Sequence, residues 1–190
     1  MFSVFSRSMN RAFYMTVLGL LLSMPGTAAE IFGPSQITAS TSIPDSGLGF
    51  PIAQICDGVI DPPVWFNGFA AVPGLTGTIR LDFTTPQHLY DFVLWNDINV
   101  LSEGIRDFRL EFFDAADNLL DSTPVFVGPL GLMAPEIYTF DVVLNVKRVD
   151  LIVLSLNPSQ RLEIREVGFN EPGTVASEAA SWSELKALFG

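Results

Sequence analysis

Short runs of alternating apolar and polar residues, separated by turn-forming residues, constrain this chain more than any other feature. Residues 78–83 alternate strictly and place three apolar side chains on one face, which is the period of a half-buried β-strand. Residues 108–112 alternate in the same way, whereas 90–95 are almost continuously apolar, as in a central strand. The predicted strands are 36–42, 78–83, 90–95, 108–112, 119–120, 137–143, 149–156 and 162–169.

No long amphipathic helix separates these runs, so the pattern predicts an all-β fold over residues 31–170. Antiparallel strands at short spacing favour a β-sandwich, here of jelly-roll type, over a βαβ architecture. Residues 114–118 are rich in Asp and Asn and predict a turn. The predicted loops are 44–49, 61–77, 97–104 and 123–136, the last of which holds two glycines and three prolines.

The first 29 residues predict a cleavable signal peptide. Arg7 and Arg11 precede an apolar stretch, 13–22, that is too short to span a bilayer. Small residues at 27–29 suit a signal peptidase, so we expect cleavage after Ala29 and a secreted or extracytoplasmic protein, in the periplasm or at the cell surface. The alternative is an uncleaved N-terminal anchor. No later stretch has the length and apolarity of a transmembrane helix.

The last twenty residues differ from the strand region. Residues 171–180 are small and polar, as in a linker, and 181–190 predict a short amphipathic helix that begins with the capping box Ser181 to Glu184. The apolar residues that share one face of this helix are Trp182, Leu185 and Phe189. Because so short a helix is marginal alone, we expect it to pack on its own domain or on a protein partner.

Charge and composition exclude several classes of protein. The chain has 10 basic and 21 acidic residues, and residues 1–29 hold two arginines and no acid. The mature chain therefore has 8 basic and 21 acidic residues and a formal net charge of −13. Such a charge repels nucleic acid. Cys56 is the single cysteine, so no internal disulfide forms and we expect a buried thiol. His88 is the single histidine, and neither a catalytic triad, a histidine zinc site nor a phosphate-binding loop is recognisable. We therefore expect that this protein is not an enzyme.

Residues 36–170 resemble the discoidin-type domain, also called the coagulation-factor type C domain, of the galactose-binding-like β-sandwiches. The matching segments are ITAS at 37–40, CDG at 56–58 with Trp65, TIRLDF at 78–83 with FVLWN at 92–96, GIRDFRLEF at 104–112, KRVDLIVL at 147–154 and LEIREVGF at 162–169. The chain departs from the family in lacking the cysteines of its terminal disulfide and in having Pro62-Pro63 before Trp65.

The resemblance implies a non-catalytic binding module whose loops at one end contact glycans, lipids or proteins. The residues it implies for ligand contact are Asn96, Asp97, Asn99, Arg106 and Asn157, with Phe66, Trp65 or Phe69 as a stacking face. These types suit a sugar, because planar polar groups reach hydroxyls and an aromatic ring covers the apolar face. Asn and Asp are also ordinary loop residues, and Trp65 packs in the core of many family members.

The resemblance also implies a structural calcium ion. Asp57 and Glu166 lie at positions that often hold it, and Asp61 offers a third carboxylate; calcium takes six to eight oxygen ligands, including backbone carbonyls. The alternative is that Asp57 caps its Asp-Gly turn and Glu166 faces solvent.

The leading hypothesis is therefore an exported module that binds carbohydrate or another cell-surface ligand. The alternative is a structural or adhesion component of the cell envelope, which binds a protein through the C-terminal helix or the apolar loop 125–133. That loop equally suits a cover over the end of the core.

Overall fold

The computed structural model describes residues 30–31, 33–59, 67–97, 100–130 and 134–171. They form nine antiparallel strands and one short 3-10 helix, Ile52–Cys56, which confirms the predicted all-β sandwich. The strands are β1 Glu30–Ile31, β2 Ile37–Thr41, β3 Phe69–Ala70, β4 Gly77–Asn96, β5 Ile105–Phe113, β6 Leu119–Ser122, β7 Phe126–Val127, β8 Glu136–Leu156 and β9 Glu163–Asn170.

Two long strands, β4 and β8, each pass through both layers of the sandwich. In one layer the first half of β4 pairs with β2 and with the second half of β8, which pairs in turn with β5. In the other layer the second half of β4 pairs with β9 and with the first half of β8. The register between β4 and β8 shifts at Asp82, Gln87 and Leu89, and such irregularities let a strand bend from one layer into the next.

Aromatic side chains join the two layers. Phe108 of the first layer lies 5.6 Å from Phe92 and 4.9 Å from Tyr138 of the second, measured between ring centroids. Phe83 meets Phe169 in the same way at 5.4 Å. All five rings are at most 7% exposed, and edge-to-face or tilted pairs at these distances add to the burial of their area. The core is therefore continuous between the layers.

The structure differs from the sequence-based strand prediction in two respects. Residues 78–83 and 90–95 belong to one strand, as do 137–143 and 149–156, because the residues between them continue the strand through the register shifts between β4 and β8. Conversely, the predicted loops at 61–77 and 123–136 contain the two-residue strands β3 and β7. The predicted turn at 114–118 is confirmed, since the Asp114 carboxylate accepts hydrogen bonds from the amides of Ala116 and Asn118.

The segments that follow β4, β7 and β8 meet at one end of the sandwich, which we call the loop end. At the opposite end the first and last strands lie side by side, with Glu30 paired to Asn170.

The predicted signal peptide at 1–29, the predicted helix at 181–190 and nearly all of the linker 171–180 lie outside the described residues. Within the described ranges, no helix is long and apolar enough to cross a membrane.

Candidate functional site

Asn96, the last residue of β4, organises the loop end from within. Its side chain is 4% exposed. Its amide group donates to the carbonyls of Ile105, at 3.0 Å, and Pro129, at 3.2 Å, and its Oδ1 accepts from the Ile105 amide at 3.0 Å. This set of bonds ties the end of β4 to the start of β5 and to the segment after β7, so Asn96 fixes the relative positions of the loops.

Asn157, which follows β8, completes the same network. It is fully buried, and its amide group donates to the carbonyls of Glu103, at 3.1 Å, and Pro129, at 3.2 Å. Two buried asparagines from different strands therefore bond one carbonyl oxygen, that of Pro129. A buried carbonyl without a donor is costly, so this convergence holds Asn96, Pro129 and Asn157 together.

Gly104 is required for this arrangement. Its φ is +100°, a conformation that residues with a Cβ rarely adopt. A Cβ at this position would lie 2.5 Å from both Cγ and Oδ1 of Asn96. The Gly104 carbonyl also accepts a hydrogen bond from the backbone amide of Asn157, and the Gly104 amide donates one to the carbonyl of Arg161. The backbone can pass this close to both asparagines because Gly104 has no side chain.

Three buried carboxyl groups lie beside this network. Asp97, Glu103 and Glu163 each place one oxygen within 4.8 Å of the others, and none is more than 7% exposed. Arg161 bridges two of them, with nitrogen-to-oxygen distances of 3.6 Å to Glu103 and 3.0 Å to Glu163. Asp97 accepts a hydrogen bond from the Val100 amide at 3.1 Å. We call these three residues the acid cluster.

Two arginines interact with the acid cluster, and the pKa of one of its carboxyl groups is raised. Burial, and then a hydrogen bond with the neighbouring Glu103, raise the pKa of Glu163 above its ordinary value, while Arg161 opposes the change. The fully buried Arg165 also interacts with Asp97, although desolvation lowers the pKa of its guanidinium. Through Arg161 and the Val100 amide, the acid cluster links the segments after β4 and β8 to the start of β9.

A second acidic pair joins the 3-10 helix to β9. Glu166 is fully buried, and its Oε1 accepts from the Gly58 amide at 3.2 Å, whereas its Oε2 is buried and has no hydrogen-bond partner among the described residues. Burial raises the pKa of Glu166 to about 8, and the neighbouring charge of Asp57 contributes. Asp57 accepts from the Val59 amide at 2.9 Å and from the Asn67 side chain. The alternative in which Glu166 faces solvent is wrong, and the capped turn at Asp57 is present.

The predicted ligand residues fall into three groups. Asn96, Asp97 and Asn157 meet at the loop end with buried side chains that bond inward, so in this arrangement they hold the loops rather than face a ligand. Arg106 is exposed at the start of β5, and its carbonyl accepts from the Gly128 amide. The predicted residues outside the described ranges are Trp65, Phe66 and Asn99 for the ligand and Asp61 for the metal. Phe69, the other candidate stacking ring, is 1% exposed in β3, so that prediction is wrong: its ring packs in the core.

Sequence reasoning did not identify Glu103, Arg161 and Glu163, which the structure brings together. A signal was available in LEIREVGF at 162–169. Three charged residues interrupt a strand that must pair on both sides, and charges buried in a central strand need partners.

The two-layer antiparallel architecture has the fold of the discoidin-like β-sandwiches. Among solved structures, the family 32 carbohydrate-binding module of Clostridium perfringens NanJ, in complex with galactose, is similar with a TM-score of 0.61 at 13% identity, covering 75% of this chain and 100% of that one. The F5/8 type C domain of a Bacteroides fragilis protein matches with a TM-score of 0.58 at 14% identity, covering 77% and 98%. The family 32 module of Streptococcus pneumoniae EndoD matches with a TM-score of 0.56 at 16% identity, covering 76% and 100%.

No protein-family model and no curated protein sequence matches the chain. At the identities of the solved structures, the likeness is one of fold.

Proposed function

We propose that this protein is an exported, non-catalytic carbohydrate-binding module. The observation that carries the proposal is the likeness of about three quarters of the chain to whole carbohydrate-binding modules, one of them in complex with galactose. The hydrogen bonds of Asn96 and Asn157 support it, because a site for a weakly bound sugar works best when the backbone around it is already positioned before binding.

In this proposal the loop end contacts the glycan. Arg106, exposed at the start of β5, donates to sugar hydroxyls, and Asn99 and Phe66 contribute a polar group and a stacking ring. Asn96, Asp97 and Asn157 act through the loops they hold. Each hydrogen bond to a sugar replaces one to water, so the net gain per bond is small, and we expect weak binding that repeated contacts strengthen.

A glycan array, followed by calorimetry with the sugars that bind, tests this function. We expect Arg106→Ala to weaken binding while leaving the melting temperature unchanged, because the side chain is exposed. The matched control is Arg80→Ala, which removes a 49% exposed arginine whose partner is Asp150. Absence of glycan binding, or equal effects of both variants, would contradict the proposal.

We further propose that Asp57 and Glu166 hold a structural calcium ion. The buried, unpartnered Oε2 of Glu166 beside the half-buried Asp57 carboxylate suits a hard cation, whose remaining ligands would be Asp61 and backbone carbonyls. The ion would tie β9 to the segment after the 3-10 helix. Calcium should raise the melting temperature of the parent protein and not that of Asp57→Ala; equal melting temperatures of the parent with calcium and with chelator would contradict this site.

Export through residues 1–29 is part of the proposal. Mass spectrometry of the protein from the extracytoplasmic fraction should find Glu30 as its first residue. A chain that still begins at Met1 would instead indicate the uncleaved anchor.

A protein partner in the cell envelope is the second candidate function. Val125, Val127 and Leu130 expose 55%, 51% and 48% of their surface, and exposed apolar residues of this kind favour a contact surface. The predicted helix at 181–190 would belong to the same function. A partner captured by the parent protein and lost both with V125S/V127S and with residues 181–190 removed would favour this candidate.

A further inference from the structure

A cleft on the flank of the sandwich lies away from the loop end. It opens between the β6–β7 segment and the first part of β8, and it has a volume of about 360 Å³, within the range of small-molecule sites of roughly 300–1,000 Å³. Neither the loop-end network nor the Asp57–Glu166 pair contributes to it.

Phenylalanine rings form the floor of the cleft. Phe112, which is 1% exposed, lies 4.9 Å from the half-buried Phe140, between ring centroids. Phe126, also half-buried, packs against Tyr138 at 5.1 Å and Phe108 at 5.6 Å. Because the core holds one side of Phe126 and of Phe140, their remaining surface faces the cleft in a fixed orientation.

The rim of the cleft is polar and acidic. Asp121 and Asp141 are exposed on opposite sides, with the hydroxyls of Ser122 and Thr139 beside them, and the described residues of the lining include no lysine or arginine. Within the described ranges, neither carboxylate takes part in an ion pair. Asp121 accepts a hydrogen bond from the Ser122 amide through one oxygen.

We propose that this cleft binds an oligosaccharide that carries protonated amino groups. Ammonium groups would form charge-assisted hydrogen bonds with Asp121 and Asp141 and would interact favourably with the phenylalanine rings. Sugar hydroxyls would pair with Ser122 and Thr139. The mixture of carboxylates, hydroxyls and ring faces favours an amino sugar over a lysine-rich peptide, because one sugar ring combines an ammonium group, hydroxyls and an apolar face at this short spacing. This site goes beyond the proposed function, because it lies on another part of the sandwich and recognises charge.

Calorimetry of the purified protein with a glucosamine oligomer tests the proposal, at low salt and mildly acid pH so that the amines are protonated. We expect binding to be weakened about tenfold or more by D121N/D141N, since hydrogen bonds to charged groups are the stronger ones. The N-acetylated oligomer of the same length should bind at least about tenfold more weakly to the parent protein. Both replaced side chains are exposed, so the melting temperature should not change.

Two control variants distinguish binding in the cleft from a general effect of the protein's negative charge and from binding at the loop end. Asp82→Asn removes one acidic charge outside the cleft lining and should leave the affinity unchanged, as should Arg106→Ala at the loop end. If Arg106→Ala abolishes binding of a neutral glycan but not of the glucosamine oligomer, the result bears on the proposed function and not on the cleft.

Four results would overturn the proposal: no binding of the glucosamine oligomer, equal binding of the acetylated oligomer, full affinity in D121N/D141N, or an oligolysine peptide that binds as tightly with the same dependence on the two aspartates. The last would assign the cleft to a basic peptide.

Discussion

Replacing Glu166 by glutamine examines the buried carboxyl group beside Asp57. In the presence of a chelator, we expect Glu166→Gln to gain stability relative to the parent protein as the pH rises. Glutamine keeps an oxygen that can accept a hydrogen bond from the Gly58 amide, but its side chain does not titrate in this pH range. The parent has a carboxyl group whose pKa burial raises from an ordinary 4.5 to about 8.

The sign of the effect follows from proton linkage. Between these two pKa values the folded protein holds a proton that the unfolded chain has released, so the stability present below about pH 4.5 is lost as the pH rises towards 8. One pKa unit corresponds to about 1.4 kcal/mol, so the full effect is roughly 5 kcal/mol in the free energy of unfolding. That is a large part of the stability of an ordinary domain.

Urea unfolding in chelator, from about pH 5 to about pH 8, measures this directly. The difference in free energy of unfolding between variant and parent should grow by up to about 1.4 kcal/mol per pH unit. Glu111→Gln is the control: Glu111 pairs with the 41% exposed Arg109 at the surface, so its pH profile should run parallel to that of the parent.

Added calcium should reverse the order, because an ion bound to the folded state stabilises the parent and the neutral amide of Gln holds it less well. If the profiles of Glu166→Gln and the parent stay parallel in chelator over the whole pH range, the carboxyl does not hold a proton in the folded state and the reasoning fails.

Two further substitutions test the loop end, and a thiol reagent tests the core. Gly104→Ala should lower the free energy of unfolding by more than about 1 kcal/mol and weaken glycan binding, because its Cβ meets Asn96 at a positive φ; unchanged urea midpoints would contradict this. Asn157→Ala should cost about 1–3 kcal/mol, because the carbonyls of Glu103 and Pro129 each lose a donor, and a cost near zero would show that water replaces it. The Cys56 thiol is 2% exposed, and burial, followed by the charges of Glu166 and Asp57, raises its pKa. It should therefore resist a thiol reagent until the protein is unfolded in urea. Rapid reaction in the native state would contradict its burial.

The sandwich could be predicted because hydrophobic alternation is local. Residues 78–83 show the period of a strand without reference to any other part of the chain, and so do 108–112. That 78–83 and 90–95 form one strand was not predictable in the same way. The bends in β4 depend on register shifts against β8, which only the assembled layers define.

The site was harder to predict because polar residues look alike in a sequence. Asn96 and Arg106 both lie near predicted loops, yet one is 4% exposed and the other exposed. What separates them is the set of backbone carbonyls that surrounds Asn96, and those come from β5 and from the segment after β7. The acid cluster was missed for the same reason, since Glu103 and Glu163 are distant in sequence and meet only when β9 pairs with β4.

The pairing of Glu30 with Asn170 decides how this domain is tethered. The polypeptide enters and leaves the sandwich at neighbouring points, on the pole that faces away from Asn96 and Arg106. Any anchor or additional domain joined at either terminus would therefore attach to the end of the sandwich opposite the loop end and leave the loop end exposed. The same adjacency means that a short linker could join residues 30 and 171 and new ends could be opened at the exposed turn after β5 without disturbing the opposite pole.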